Sequence, residues 1–371
     1  MDAERIIPWL RLSRVAGLGP VLGGRLLQAF GGPEAVFEAA PGRVRSVEGI
    51  GEVIAANIFD PAALELAKQD LDRCLETGLQ ILTLDDPAYP APLRSIADPP
   101  LLLFLRGNYL PEDEDGVAMV GCRNPDPYGE SMAVLLASGL ARYRVTVISG
   151  MARGVDGICQ KAALKAGGRS LAVLGTGPDV IYPPEHAALY AELAEKGGVF
   201  SEFPPGTPAE PGNFPRRNRL ISGLARAVVM VQARSPKSGA LITARLAWEQ
   251  GREVYAVPGN AGAAAALAGN ALLKQGARLV ETAEDIVLDL RPLGTVPLEK
   301  ESARPLPLLP DLQARIFGLI PPPAEGTIDI DSLARQSGLS ASEALAALLE
   351  LELAGLVRPL AGKRYVRLTG G

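Results

Sequence analysis

Residues 213 to 252 combine cationic side chains with an aromatic ring. The segment opens Asn213-Phe214-Pro215-Arg216-Arg217-Asn218-Arg219 and carries eight cations against one anion, a local balance of +7. The whole chain carries −5, so the other residues carry −12. A basic segment in an acidic protein concentrates its electric field where a polyanion would lie. Since rings stack on unpaired bases and cations neutralise phosphates, the segment predicts a groove for a single-stranded nucleic acid. The alternative interpretation is a solvated basic face with Phe214 in the core.

The second half of this segment predicts a strand, a loop and a helix. Ala227 to Ala233 is apolar and rich in β-branched residues, as in a strand buried on both faces of a parallel sheet. A polar loop, Arg234 to Gly239, leads into Ala240 to Gln250, whose leucines and alanines suit a helix. Free amides and the helix dipole at such a start can hold a phosphate. The G-x-x-x-x-G-K-[ST] spacing is absent, so we do not predict a nucleoside triphosphatase.

From Gly116 onward, apolar runs alternate with helix patterns. The predicted strands are Val117 to Val120, Val145 to Ser149, Leu171 to Leu174, Val199 to Ser201, Ala227 to Gln232 and Val254 to Val257. The predicted helices are Glu130 to Arg142, Val155 to Ala166, Glu185 to Lys196, Arg219 to Leu224 and Gly239 to Gln250. This alternation predicts an α/β fold, a Rossmann-like doubly wound parallel sheet with right-handed crossovers.

Glycines and cations follow four of these strands. The loops are Gly121 to Asn124, Gly150 to Gly154, Gly175 to Gly177 and Arg234 to Gly239. Because ligands of open α/β sheets bind beyond the carboxyl ends of the strands, we expect these loops and Phe214 to meet at one edge. The G-x-G-x-x-G fingerprint is missing, so neither a dinucleotide nor another cofactor is predicted.

The flanking segments predict additional domains. The predicted organisation is a small helical SAM-like or helix-hairpin-helix-like domain over residues 1–78, an extended Rossmann-like domain over 79–290, a Pro-rich linker over 291–310 and a winged-helix-like domain over 311–371. In the first domain, Gly17-Leu18-Gly19 and Gly49-Ile50-Gly51 each lie between helix patterns and resemble hairpins whose amides approach a nucleic-acid backbone. Ordinary glycine C-caps are the alternative.

The last domain shows three helix patterns followed by two short strands around a basic turn. Its third helix, Ala341 to Gly355, would read duplex DNA in a winged helix, yet it carries Glu343, Glu350 and Glu352 and no lysine or arginine. Carboxylates repel phosphates, so a protein or dimer contact stays open beside duplex binding.

Composition excludes several classes of protein. No apolar run approaches the roughly 20 residues of a membrane span, and the N-terminus lacks signal-peptide features, so a cytoplasmic protein is expected. Cys74, Cys122 and Cys159 are widely separated and predict neither a disulfide framework nor a metal site. The single histidine, His186, is expected at a helix surface, which argues against His-based catalysis.

Seven motifs, in order, resemble the DNA-processing protein A (DprA, also called Smf) family. They are Val120-Gly121-Cys122-Arg123, Ser149 to Asp156, Gly175 to Pro183, Ser201-Glu202-Phe203, Asn213 to Arg219, Lys237 to Arg245 and Ala256-Val257-Pro258-Gly259. The resemblance implies a non-enzymatic protein of natural transformation that binds single-stranded DNA, dimerises and loads the RecA recombinase. The chain departs from the family pattern at Cys122, Gln160 and Gln232, where Thr or Ser, His and Glu are usual.

Together, the residues and the resemblance predict one DNA site. The cations expected to neutralise phosphates are Arg123, Arg217, Arg219 and Lys237. The amides expected to bond phosphate oxygens belong to Gly150, Ser238 and Gly239, and Phe214 is expected to stack on a base. Gly121, Ser149, Arg216 and Asn218 complete the predicted set.

Two rival interpretations belong to other classes. Related Rossmann-like folds hydrolyse nucleoside monophosphates, and such a phosphoribohydrolase needs a carboxylate poised at the pocket. Glu202, Asp156 and Asp179 are the candidates, each with a structural alternative as a cap or ion-pair partner. The other rival is an adaptor that acts only through its terminal domains.

Overall fold

A nine-stranded sheet forms the centre of the first of two units, residues 1–297 and 298–371. The computed structural model describes residues 2–235, 238–290, 311–321, 327–353, 356–360 and 364–367. The strands of the large sheet are β1 (Gln80–Thr83), β2 (Leu102–Gly107), β3 (Val117–Gly121), β4 (Val147–Ser149), β5 (Ser170–Val173), β6 (Gly198–Ser201), β7 (Ala227–Gln232), β8 (Glu253–Ala256) and β9 (Arg278–Leu279).

The strand order is β1-β2-β6-β5-β4-β3-β7-β8-β9. Seven strands, from β6 to β9 in that order, pair in parallel, whereas β1 and β2 pair antiparallel at one end. The chain therefore winds outward from β3 in both directions, which confirms the predicted doubly wound sheet. The antiparallel strands β1 and β2 extend the same sheet beyond β6. Local sequence does not indicate which sheet such a strand joins.

Helices cover both faces of the parallel strands. They are α7 (Ala91–Arg94), α8 (Pro127–Arg142), α9 (Val155–Lys165), α10 (Ala187–Lys196), α11 (Asn213–Leu224), α12 (Gly239–Glu249), α13 (Leu267–Lys274) and α14 (Ala283–Leu290). Alternate residues of a strand enter opposite layers of the core. Val117 and Met119 of β3 pack with α8 and α9, whereas Ala118 and Val120 pack with α11 and α12.

Helix α11 begins six residues earlier than predicted. Asn213 is its first residue and Pro215 lies in its first turn. Proline is tolerated there because the first amides of a helix have no partner within it. The basic motif is consequently helical, and its side chains are distributed with a period of 3.6 residues between the core and the solvent.

Six helices precede the sheet: α1 (Ala3–Ser13), α2 (Pro20–Phe30), α3 (Pro33–Glu38), α4 (Pro41–Arg45), α5 (Glu52–Phe59) and α6 (Pro61–Thr77). The two predicted glycine hairpins exchange equivalent contacts. Asn57 Nδ2 donates to the carbonyl of Ala16 at 2.9 Å, and Arg25 Nη1 donates to the carbonyl of Glu48 at 2.9 Å. Each donor lies six residues after the second glycine of its own hairpin, so the two hairpins contact each other reciprocally. Contact of these hairpins with DNA stays a prediction.

The second unit contains α15 (Asp311–Leu319), β10 (Ile328–Asp329), α16 (Ile330–Ser337), α17 (Ala341–Leu353), β11 (Val357–Leu360) and β12 (Arg364–Arg367). Its strands form a sheet in the order β10-β12-β11. Ser340 and Glu343 form a capping box at the start of α17, because the Ser340 amide donates to Glu343 Oε2 at 2.9 Å and the Glu343 amide donates to Ser340 Oγ at 3.3 Å. The three helices and the hairpin confirm the winged-helix plan. The predicted linker, 291–310, lies outside the described residues.

Within the described ranges, we find no helix that combines the length and the apolar character needed to cross a membrane.

Candidate nucleic-acid interface

Phe214 lies in the first turn of α11, at the carboxyl edge of the parallel sheet, and is half-buried. Its ring centroid is 5.6 Å from that of Tyr182, which lies in the segment after β5. The guanidinium of Arg123, from the loop after β3, is 5.9 Å from the centroid of the same ring. Three separate elements thus assemble two rings and an exposed cation, the groups that bind a base and its phosphate.

A pocket opens beside the Phe214 ring. Its lining residues are Arg123, Gly150, Ala152, Arg153, Leu174, Gly175, Thr176, Tyr182, Pro183 and Phe214. They belong to α11 and to the loops after β3, β4 and β5, so three of the four predicted loops meet here. In the loop after β7, Lys237 lies outside the described residues.

Gly175 sets the position of the Phe214 ring. A Cβ atom at Gly175 would lie 2.8 Å from Cδ1 of Phe214, closer than two carbon atoms pack. We expect Gly175→Ala to displace the ring and to weaken binding of a dT oligonucleotide by about tenfold, as the loss of one base stack would.

The matched control for this variant is Gly212→Ala, at the residue that precedes α11 and lies two positions before Phe214. Gly212 has φ −68° and open space around its Cβ position. Its substitution should leave the affinity unchanged. Fluorescence anisotropy measures both affinities. If Gly175→Ala binds as tightly as Gly212→Ala and the natural chain, the position of the Phe214 ring is unimportant for binding.

Arg217 is buried, with 4% of its surface exposed. Its Nη1 donates to the carbonyl of Gly150 at 2.7 Å and also to the carbonyl of Val173. The side chain therefore ties together the carboxyl ends of β4 and β5. Burial lowers the pKa of the Arg217 guanidinium to about 10, and the nearby Asp156 carboxylate opposes this shift.

Arg219 is buried as well and lies between two carboxylates. Its Nε is 3.1 Å from Oδ2 of Asp98, and its Nη2 donates to Glu202. Direct phosphate contact was predicted for Arg217 and Arg219, but both guanidinium groups are engaged inside the protein. The prediction is corrected because the earlier start of α11 turns these two positions toward the sheet.

The predicted amide donors are partly engaged too. The Gly150 amide donates to Oδ2 of Asp156 at 3.2 Å, and the Ser238 amide donates to the carbonyl of Ser235 at 3.0 Å. The Ser149 hydroxyl is buried and donates to the carbonyl of Met119 at 2.7 Å. These groups fix the loops, so the phosphate contacts predicted for the Gly150 and Ser238 amides are not available in this structure.

The remaining predicted residues lie around the same loops. Gly121 ends β3 where a Cβ would lie 2.5 Å from Val155, so it permits close packing of α9. Asn218 Nδ2 donates to the carbonyl of Gly239 at 3.4 Å and joins α11 to the start of α12. Arg216 is exposed, with its guanidinium 5.3 Å from the Phe203 ring centroid.

The basic segment does not form one patch. Arg226 pairs with Asp115 at 2.8 Å, and Arg252 donates to the carbonyl of Pro92 at 3.0 Å. Both arginines directly precede strands, so they lie at the opposite edge from Phe214. Arg216, Arg234 and Arg245 are exposed members of the segment.

Sequence reasoning did not single out Tyr182, Thr176 or Arg153. The first two lie within the motif Gly175 to Pro183, and Arg153 lies within Ser149 to Asp156, and both motifs carry the family resemblance. The motifs therefore contained these residues, but only the fold places their side chains around the same pocket as Phe214.

His186 is buried rather than on a helix surface, which corrects that expectation. Its Nδ1 lies 3.0 Å from the carbonyl oxygen of Met151, and the ring donates this hydrogen bond. Met151 has φ +53°, in the left-handed region that non-glycine residues rarely adopt. The histidine thus stabilises the loop after β4 through this hydrogen bond to Met151.

Gln232, where the family usually has Glu, organises the loop after β3. Its Oε1 accepts from the Asp126 amide at 3.0 Å, and its Nε2 donates to Oδ1 of Asp126 at 2.8 Å. A glutamate could not donate the second bond. Gln160, at the usual His position, donates to the carbonyl of Leu171 at 3.0 Å and is buried.

The three carboxylates considered for hydrolysis are all engaged. Glu202 pairs with Arg219, and Asp156 accepts the amides of Gly150 and Ala152 at 3.2 and 3.4 Å. Asp179 pairs with Arg73 at 2.6 Å and accepts the Gly206 amide at 2.7 Å. Each therefore has the structural role that was its alternative interpretation. Among the described residues, no cluster of His, Cys, Asp and Glu could hold a metal ion.

Comparison with known proteins covers nearly the whole chain. Residues 80–291 match the family model of DNA recombination-mediator protein A, and residues 300–363 match the DprA winged helix domain. Protein Smf of Synechocystis sp. is 34% identical over 97% of this chain and 98% of its own length. Protein Smf of Escherichia coli is 41% identical over 78% of this chain and 77% of its own.

A solved structure shows the same relationship. The X-ray structure of DNA processing protein A from Streptococcus pneumoniae has a TM-score of 0.63 and 31% identity, and it covers 77% of this chain and 97% of that one. These matches agree with the seven ordered motifs, the doubly wound sheet and the winged-helix unit. The chain belongs to the DNA-processing protein A (DprA, also called Smf) family.

Proposed function

We propose that the chain binds single-stranded DNA at the carboxyl edge of its parallel sheet and acts as a mediator without catalysis of its own. One observation carries the proposal: the half-buried Phe214 ring lies at a pocket between Tyr182 and the exposed Arg123. A base can stack on this ring only when it is free of its complementary strand, because bases of a duplex already stack on one another.

Exposed cations supply the charge. Arg123 has no carboxylate partner among the described residues, so its guanidinium is available to a phosphate. Arg234 is exposed in the loop after β7, and Lys237 belongs to the same loop in sequence. Gly239 is exposed at the start of α12, where the helix dipole favours an anion. Arg217 and Arg219 act as positioning residues in this proposal.

The winged-helix unit is proposed to contact a protein. Leu345 and Leu349 on the outward face of α17 are 50% and 56% exposed, and the exposed Glu343, Glu350 and Glu352 lie on the same helix. Insertion of this helix into a DNA groove would bring three carboxylates near phosphates.

Loading of RecA onto incoming strands, protection of those strands in transformation and a homodimeric state are further parts of the proposal, and family membership supports them. A shorter lag in RecA filament assembly on single-stranded DNA when the chain is added tests the first. Analytical ultracentrifugation tests the homodimeric state, for which we expect a mass of twice that of one chain. An unchanged lag would contradict the role in loading.

A competition experiment tests the central proposal. The full chain is titrated with a labelled dT oligonucleotide and with a duplex of equal length at two salt concentrations. We expect at least about tenfold tighter binding of the single strand, from one or more base stacks that a duplex cannot make. Equal or tighter duplex binding would contradict it. A Leu345→Asp, Leu349→Asp variant in the same assay should leave the duplex affinity unchanged.

A further inference from the structure

An ion pair lies at the mouth of the Phe214 pocket. Arg153, in the loop after β4, lines the pocket, and its Nε donates to Oε1 of Glu185. Glu185 follows Tyr182 and Pro183, two other lining residues, in the short 3₁₀ helix Pro184–His186. The segment that supplies the second aromatic ring therefore also supplies a carboxylate to the cation beside it.

This ion pair is more exposed to solvent than the ion pair between Arg219 and Glu202. The side chains of Arg153 and Glu185 are 53% and 50% exposed, whereas that of Arg219 is 9% exposed. Solvent screens an exposed ion pair, so its partners separate at little cost. A buried pair cannot separate in this way, because one charge would be left without compensation.

A carboxylate and a phosphodiester present the same kind of acceptor to arginine. Both offer anionic oxygens that accept charge-assisted hydrogen bonds from the guanidinium fork. The bond from Arg153 holds the pKa of Glu185 at about 2, so the carboxylate stays charged under ordinary assay conditions. A ligand must therefore displace this group, since protonation will not remove it.

We propose that Arg153 is a phosphate-binding position of the DNA site and that Glu185 is an internal competitor which occupies it until a strand displaces it. This inference rests on the proposed function. When a phosphate leaves Arg153, the carboxylate three residues after Tyr182 takes its place and hinders rebinding. The pair thus lowers affinity and speeds release, as a protein that hands its DNA to another component requires.

The decisive variant is Glu185→Gln, which removes the competitor and keeps the side-chain size. We expect dT oligonucleotide binding to tighten by about two- to fivefold at low salt, the range that an exposed ion pair allows. The salt slope should steepen by up to about 0.7, as for one additional phosphate neutralised. Dissociation, measured by stopped-flow with unlabelled competitor, should slow by a similar factor.

Glu192→Gln is the matched control. Glu192 pairs with Lys196 at 2.9 Å on the exposed face of α10, and its replacement changes the net charge by the same amount. It should leave affinity unchanged. An equal gain in both variants, or a gain that persists in Glu185→Gln combined with Arg153→Gln, would overturn the proposal, because the effect would then be one of overall charge.

Phe214→Ala distinguishes a failure of the proposed DNA site from a failure of the proposed internal competitor. If this variant binds as tightly as the natural chain, the proposed site itself is wrong. If it binds weakly while Glu185→Gln shows no gain, the site stands and the internal competitor is rejected. Thermal unfolding of every variant verifies that the fold is intact.

Discussion

Replacing Phe214 by alanine is expected to weaken binding of a dT oligonucleotide by about tenfold or more while leaving the salt slope unchanged. The ring contributes stacking, which is worth about 1–3 kcal/mol per base and involves no counterion release. Its position between Tyr182 and Arg123 allows a base to enter against one ring and a phosphate to meet the cation. Fluorescence anisotropy at several salt concentrations gives both quantities.

The aromatic surface, rather than the identity of phenylalanine, should matter. Phe214→Trp is therefore expected to keep most of the affinity, provided the larger ring fits beside Gly175. Arg123→Gln should show the complementary behaviour, with a smaller salt slope, since a cation is lost. An alanine variant that binds with natural affinity, or one that changes the salt slope as Arg123→Gln does, would contradict the stacking role.

Replacing Arg217 by alanine is expected to lower the free energy of unfolding by about 3–5 kcal/mol, the cost of leaving a buried charge without its partner. Its guanidinium joins the carbonyls of Gly150 and Val173, at the ends of two neighbouring strands. Removal would leave those acceptors unpaired and the buried Asp156 without its nearby cation. Urea unfolding followed by circular dichroism measures the loss.

A double-mutant comparison isolates the electrostatic part. If the uncompensated Asp156 carboxylate causes the loss, adding Asp156→Asn to Arg217→Ala should restore part of the stability. Arg217→Lys should fall between alanine and the natural residue, because lysine keeps the charge but lacks the planar fork that reaches both carbonyls. A fully stable Arg217→Ala chain whose salt slope falls by about 0.7 would reinstate direct phosphate contact.

Much of the fold could be predicted from local pattern. The six predicted strands from Val117 to Val257 correspond to β3 to β8 within two residues at each end, because a strand buried on both faces needs an unbroken apolar run. The βα alternation then limits the connections to right-handed crossovers. The attachment of β1 and β2 to the same sheet depends on contacts across about a hundred residues, for example Phe104 opposite Ser201, and no local pattern contains them.

The site was predicted less completely, and α11 shows the reason. Its residue types indicated phosphate binding at Arg217 and Arg219. The sequence does not show, however, whether a charged side chain faces the solvent or the core. Once the helix begins at Asn213, its period of 3.6 residues places Arg217 against the sheet, whereas Arg216 next to it faces solvent. The carbonyl and carboxylate partners of the buried arginines come from distant segments.

By itself, the sequence determined the apolar runs, the loops after them that carry glycines and cations, and the family to which the chain belongs. Each of these depends only on residues that are neighbours in the sequence. Tertiary structure alone decided which cations remain exposed at the Phe214 pocket. It also decided which are buried with hydrogen-bond or ion-pair partners, and which lie at the opposite edge of the sheet. It also brought Glu185 to Arg153 across 32 positions. The physical reason is that the free energy of a charge depends on its burial and its partners, and both are set by long-range packing.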